Sequence, residues 1–79
     1  MSPTVFRYKN YRFFFFSREE SRMHVHIMSP DGEAKFWLEP IISLADYSGL
    51  SKMQLKELGK VVEKYAKDIE KAWEKHFSC

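Results

Sequence analysis

His24 and His26, one residue apart, are the residues in this sequence whose type and spacing best suit chemistry. Alternate side chains of an extended strand point to the same side, so we expect the two imidazoles about 7 Å apart on one face. Imidazole can bind a metal ion, transfer protons near neutral pH, or stack on a nucleotide. Histidine can also be a half-buried polar filler, and the spacing alone leaves all four roles open.

Cleavage of RNA without a metal ion requires a base for the ribose 2′-OH, an acid for the leaving oxygen and a cation near the phosphate. We predict these roles: catalytic, His24, His26 and Arg12; RNA-binding, Arg7, Lys35 and Trp37. A metal site would need a third ligand, for which Glu33 or Glu39 lies on the appropriate face. We expect no metal and no cofactor, and the glycines form no phosphate-cradling loop.

Four consecutive phenylalanines, Phe13 to Phe16, supply more apolar side chains than one face of a half-buried strand needs. Burying a Phe is worth roughly 1.5–3 kcal/mol, so a small domain that leaves the surplus rings in water loses much of its stability. Four things could bury the extra rings: the chain's own helices, a cognate protein, a second copy of the chain, or nucleic acid. We predict these partner-binding residues: Phe14, Phe16 and Trp37.

The elements that position these residues are four strand-like segments, residues 4–8, 11–17, 23–28 and 33–39, which are joined by short turns. Short connections favour an antiparallel meander. If Lys9-Asn10 is a hairpin turn, these pairs follow: Tyr8 with Tyr11, Phe6 with Phe13, and Thr4 with Phe15. That aromatic face is the predicted core. The reverse face is predicted to carry Arg7, Arg12, Phe14, Phe16, His24, His26, Glu33, Lys35, Trp37 and Glu39.

Two helices are predicted after the sheet. Pro40 can begin a short helix over residues 40–47, and Ser51 with Gln54 forms a capping box for a long one. Apolar residues then recur every three or four positions, which predicts a helix over residues 52–76 of about 37 Å. Because it exceeds the strands in length, this helix should cross the sheet diagonally, overhang it, or kink near Gly59. The sequence thus predicts one α+β domain, residues 1–79, with the helices on one face of a four-stranded sheet 4–39.

Composition limits the class of protein. The chain has 79 residues, of which 44% are hydrophobic and 16% aromatic, which argues against disorder. A net charge of +2 suits local basic patches rather than a protein that coats DNA. The single cysteine, Cys79, and the absence of a leader or of an apolar run near the roughly 20 residues of a membrane helix predict a cytoplasmic protein.

Three ordered motifs, "YRFFFFS", "HVHI" and "AKFWL", resemble a small bacterial family, the domain of unknown function numbered 4160, over residues 2–77. The resemblance implies a toxin encoded beside a small antitoxin-like protein, and such toxins are frequently ribonucleases. It singles out Arg12, His24, His26, Lys35 and Trp37. Residues 20–23 depart from the family pattern, which has a histidine and prolines there.

The leading hypothesis is therefore a toxin-like component of a toxin–antitoxin module that acts on RNA through the Arg/His/Lys/Trp face, with metal-independent ribonuclease activity open. The alternative is a protein-binding or homodimerising module without enzymatic activity.

Overall fold

The computed structural model describes residues 4–16 and 21–77. Its antiparallel sheet has the strand order β1-β2-β3-β4-β5, followed in the chain by two helices. The strands are β1 (Thr4–Tyr8), β2 (Tyr11–Phe14), β3 (His24–Ser29), β4 (Gly32–Trp37) and β5 (Ser43–Ser48), and the helices are α1 (Lys52–Lys64) and α2 (Ala66–Phe77). The predicted α+β class and the antiparallel meander are confirmed, but this sheet has five strands, not four.

The extra strand lies where a short helix was predicted over residues 40–47, and that helix prediction is wrong. Residues Ser43–Ser48 pair antiparallel with β4, with a register shift between Lys35 and Phe36. A helix of this length would have left most of its backbone groups without intrahelical partners. Pairing along the edge of β4 satisfies them instead, because tertiary context overrides weak local propensity.

The β1–β2 hairpin follows the predicted register only near its turn. Tyr8 pairs with Tyr11 and Phe6 with Phe13, but a register shift places Thr4 opposite Phe14 rather than Phe15. Lys9, with a φ of 53°, adopts the left-handed conformation in the turn. Two of the sequence-based expectations, the end of the second strand at Ser17 and the Cys79 thiol, lie outside the described residues.

The predicted capping box is present at the start of α1. The Gln54 N–H donates to Ser51 Oγ at 3.1 Å, and the Ser51 N–H donates to Gln54 Oε1 at 2.8 Å. The helical segment is interrupted at Tyr65, not near Gly59. In α2, Ile69 and Trp73 are buried.

The core lies between the helices and the face of the sheet that was predicted to be aromatic. Its buried members include Tyr11, Phe13, Phe15, Val25, Ile27, Ala34, Phe36, Leu38, Leu58, Val62, Ile69 and Trp73. We call the opposite side of the sheet the open face. No helix in the described part of the chain is long and apolar enough to cross a membrane.

Candidate functional site

The open face is a grid of cross-strand neighbours, because residues paired across antiparallel strands point to the same side. Three rows result: Arg12–Met28–Glu33–Ser48, Phe14–His26–Lys35–Asp46, and His24–Trp37–Ser43. Arg7 pairs with Arg12 on the outer strand β1 and is exposed. The fold therefore brings the predicted catalytic and RNA-binding residues to one face, though not equally near its surface.

His24, the first residue of β3, is fully buried. Its Nδ1 lies 2.7 Å from the carbonyl oxygen of Arg22, and because a carbonyl only accepts, Nδ1 carries a proton and donates it. The imidazole lies between two indoles, 5.4 Å from Trp37 and 5.1 Å from Trp73 between ring centroids. In this structure the His24 side chain is therefore closed to solvent.

His26 is half-buried, and its ring centroid lies 4.9 Å from that of His24. On its other side it stacks on Phe14, with ring centroids 5.6 Å apart and planes at 27°. The ring of Phe16 stands edge-on to it at 4.5 Å and is 45% exposed. Of the predicted histidine pair, His26 is therefore the one that reaches the surface.

Cationic side chains cover part of the aromatic side chains that were expected to need a partner. The Arg12 guanidinium lies 4.7 Å from the centroid of the Phe14 ring, and its Nε donates to Thr4 Oγ1 at 2.7 Å. Phe14 is only 3% exposed, and the rings of Phe16 and His26 also pack against it. Such cation–π contacts contribute roughly 0.5–1 kcal/mol at exposed sites and more when they are shielded from water.

Trp37 is covered in the same way by two cations. The Arg22 guanidinium lies 4.1 Å and the Lys35 ammonium 4.4 Å from the indole. Arg22 was missed in the sequence because it precedes the strand, and no periodicity marks it. Its Nε donates to the carbonyl oxygen of Glu39 at 2.9 Å, a contact between segments 17 residues apart.

A groove of about 270 Å³ opens on this face between β2 and β5. One wall is aromatic and apolar, formed by Phe14, Phe16, His26 and Met28. The other side carries Glu33, Lys35, Asp46, Tyr47 and Ser48. Asp46 and Tyr47 were missed because their segment was predicted to be helical, and its sequence "SLADYS" shows no strict alternation of polar and apolar residues.

A second polar cluster joins the β1–β2 hairpin to α1. The Tyr8 hydroxyl donates to Glu57 Oε2 at 2.6 Å, and the Lys9 ammonium lies 2.6 Å from the same oxygen. Hydrogen bonds from Lys9 and then Tyr8 lower the pKa of the Glu57 carboxyl. The Glu57 hydrogen bond raises the pKa of both Tyr8 and Lys9. This cluster connects two elements of the fold.

Glu33 and Glu39 are the residues named above as possible third metal ligands beside the two histidines, although no metal is expected. Within residues 4–16 and 21–77, no three His, Cys, Asp or Glu side chains come together as metal ligands would. Glu39, one of the two candidate third ligands, accepts a hydrogen bond from the Met23 backbone N–H through its Oε2 at 3.0 Å.

Comparison with known protein families gives a match. The model of the family described as "Domain of unknown function (DUF4160)" matches residues 10–74, which is more than half of the chain. No curated protein and no solved structure matches the sequence. The matched residues include β2 to β5, α1 and most of α2, and hence every residue that lines the groove.

Proposed function

This chain belongs to the DUF4160 family, and on that premise we propose that it binds single-stranded RNA on the open face of its sheet, as the toxin-like component of a toxin–antitoxin gene pair. The observation that carries the proposal is the interleaving of aromatic rings with cations on a sheet face opposite the helices. Proteins that bind single strands combine these two features, because rings stack on bases and cations follow the phosphates.

Phe16 offers an accessible ring for stacking. It is 45% exposed and stands beside His26 at the edge of the groove. Stacking of one base on an aromatic side chain is worth roughly 1–3 kcal/mol and tolerates any base. Trp37, half-buried under Arg22 and Lys35, is a second platform farther along the face.

The cations would bind the phosphates on either side of these rings. Arg7 and Arg12 lie side by side on β1 and β2, whereas Arg22 and Lys35 lie near Trp37. A strand crossing the sheet from Arg7 towards Lys35 would pass over Phe16 and His26. Stacking and phosphate contacts would thus alternate along its path.

Cleavage, if the face supports it, would depend on His26 rather than on two histidines, because His24 is buried. His26 would take the proton of the ribose 2′-OH while the 2′ oxygen bonds to phosphorus. The bond from phosphorus to the 5′ oxygen would break, and the Lys35 ammonium would protonate that oxygen. The products would be a 2′,3′-cyclic phosphate and a 5′-hydroxyl. Arg12 would offset the charge on the phosphate.

The test is incubation of the purified chain with end-labelled RNA in a chelator, beside His26→Ala and His76→Ala. His76 is a matched control because it is an exposed histidine on α2. General acid–base catalysis contributes about 10²–10⁴-fold, so we expect His26→Ala to lose at least about 100-fold and His76→Ala to retain the wild-type rate.

If the wild type retains RNA in a gel shift but leaves it intact, the face binds RNA without cleaving it. If it neither cleaves nor retains RNA, the proposed function is wrong.

A cognate protein or a second copy of the chain is the alternative occupant of the open face. One observation favours it: Phe16 and Met28, which both line the groove, are 45% and 44% exposed. Large apolar side chains exposed together mark many protein interfaces. A mass measurement in solution distinguishes the cases, since a tight dimer that resists added salt would favour the apolar interface over phosphate contacts.

A further inference from the structure

The groove on the open face has a chemical asymmetry that phosphate binding does not explain. Two carboxylates, Glu33 and Asp46, lie on the side opposite Phe16 and His26. Carboxylates repel phosphates, so on a face that binds RNA their position requires another role. A carboxylate can accept two parallel hydrogen bonds, which suits it to read the edge of a base.

The available space lies between His26 and Asp46. These residues flank Lys35 in the middle row of the open face, on β3, β5 and β4 respectively. The Lys35 ammonium lies 4.4 Å from the centroid of Trp37, and Lys35 also lines the groove. The groove, at about 270 Å³, is near the lower limit of roughly 300 Å³ for small-molecule pockets, which suits one base.

Asp46 is held in a defined orientation. Its Oδ1 accepts a hydrogen bond from the backbone N–H of Tyr47 at 2.9 Å. A carboxylate has about four lone-pair sites, so this bond leaves acceptor capacity for a ligand. Asp46 shares the row of His26 and Lys35, whereas Glu33 lies one row away on β4, so we assign the primary contact to Asp46.

Only guanine among the four RNA bases presents two adjacent donors, N1–H and N2–H, on its Watson–Crick edge. Adenine and cytosine place an acceptor beside their amino group, and uracil has a single N–H between two carbonyls. A carboxylate opposite an aromatic wall therefore discriminates in favour of guanine. Sequence-specific proteins read single-stranded RNA through this edge while the base stacks on a ring.

We propose that the groove is a guanine-binding subsite, in which the base stacks on Phe16 beside His26 and the Asp46 carboxylate accepts hydrogen bonds from N1–H and N2–H. This proposal rests on the proposed RNA-binding function and deepens it by naming the base. Discrimination arises because any other base leaves Asp46 facing an acceptor or only one donor.

Fluorescence anisotropy with labelled heptamers tests the subsite. The oligomers are a uridine heptamer with a central guanosine, inosine or adenosine, and inosine lacks only the N2 amino group. We expect the wild type to bind the guanosine oligomer about 10-fold more tightly than the adenosine oligomer. Inosine should lie between them, because it keeps the N1–H donor and lacks the N2 donor.

Asp46→Asn replaces one carboxylate oxygen with an amide donor, so it should abolish the preference for guanosine over adenosine. Glu74→Gln, an exposed change of the same chemistry on α2, is the control and should retain the preference. The amide spectrum of each variant confirms its fold. Guanosine monophosphate should also shift the amide resonances of residues 46 and 47 in the wild type.

Four outcomes separate the hypotheses. Equal binding of all three oligomers overturns the guanine subsite and leaves RNA binding intact. A preference that survives Asp46→Asn overturns the role of Asp46. Failure to bind any oligomer together with no shift from the mononucleotide overturns both proposals. Binding of argininamide, weakened by Asp46→Asn, in the absence of RNA binding would show that the groove takes a basic side chain of a protein, and would also overturn the guanine subsite.

Discussion

Glu57 links α1 to the turn of the first hairpin. Its carboxylate accepts the Tyr8 hydroxyl and faces the Lys9 ammonium, both at 2.6 Å, and these contacts lower its pKa below the ordinary value of 4.5. A carboxyl with a depressed folded-state pKa adds stability above its unfolded pKa, and the stability is lost as the pH falls through the folded pKa. We therefore expect wild type to unfold at higher urea than Glu57→Gln at pH 7, and the difference to vanish as the pH falls below about 4.

Lys9 and Tyr8, the two partners of Glu57, set the upper pH limit of the stabilisation by this cluster. The pKa values of Lys9 and Tyr8 are raised, so their contribution is present below their ordinary values of 10.5 and 10.0 and is lost as the pH rises above them. Glu63→Gln, an exposed change on the same helix, serves as control. A gap between wild type and Glu57→Gln that stays constant from pH 7 to pH 3 would contradict the role given to the ionised carboxylate.

His24 and His26 show how far sequence reasoning goes at a single site. Their alternation along β3 places both on the open face, and the pairing of His26 with Lys35 and of His24 with Trp37 follows from the strand register. The burial of His24 does not follow from local sequence, because it depends on Trp73, which is 49 residues away in the chain. The solvent exposure of a side chain on a strand face is decided by tertiary packing, so the pattern of residues along the strand does not predict it.

Two glycines show opposite constraints on neighbouring elements. A Cβ on Gly32, at the start of β4, would overlap the backbone carbonyl oxygen of Ser48, whereas a Cβ on Gly59 in α1 would lie 3.7 Å from the Phe36 ring, an ordinary contact. We expect Gly32→Ala to lower the free energy of unfolding by about 1–3 kcal/mol, since the backbone cannot yield as a side chain does. Gly59→Ala should raise it by about 0.5–1 kcal/mol, because alanine loses less conformational entropy in a helix.

The two changes add the same methyl group, so each is the control for the other. Chemical denaturation of both variants measures the signs directly. Destabilisation of similar size in both would show that the close approach of β4 to the end of β5 carries no special constraint, and that α1 also lies too close to Phe36 for a methyl group.

Sequence reasoning placed the antiparallel meander and the start of α1 but not β5 or the break between the helices. The capping box was predictable because Ser51 and Gln54 are three residues apart and bond within one turn. By contrast, β5 forms because the edge of β4 is available, and the Tyr65 ring lies 5.2 Å from Phe6 of β1 where the helical segment is interrupted. Both features depend on partners distant in sequence.

At the scale of the whole molecule, charge is balanced overall. The 13 basic and 11 acidic residues leave a net charge of +2, too little to draw RNA by long-range attraction alone. The lysines of α1 and α2 alternate with acids along helices that pack on the other side of the sheet. If RNA binds, its salt dependence should therefore come from the few cations of the open face, Arg7 among them.

Two substitutions that each remove one positive charge distinguish RNA binding at the cations of the open face from a response to the total charge of the protein. Arg7→Ala removes an exposed cation beside Arg12, and Lys71→Ala removes an exposed cation on α2. For single strands the slope of log affinity against log salt is about −0.7 for each phosphate neutralised. We expect Arg7→Ala to weaken the slope by about 0.7 and Lys71→Ala to leave it unchanged. Since both variants have the same net charge, an equal effect would mean that RNA responds to total charge and has no fixed path across the sheet.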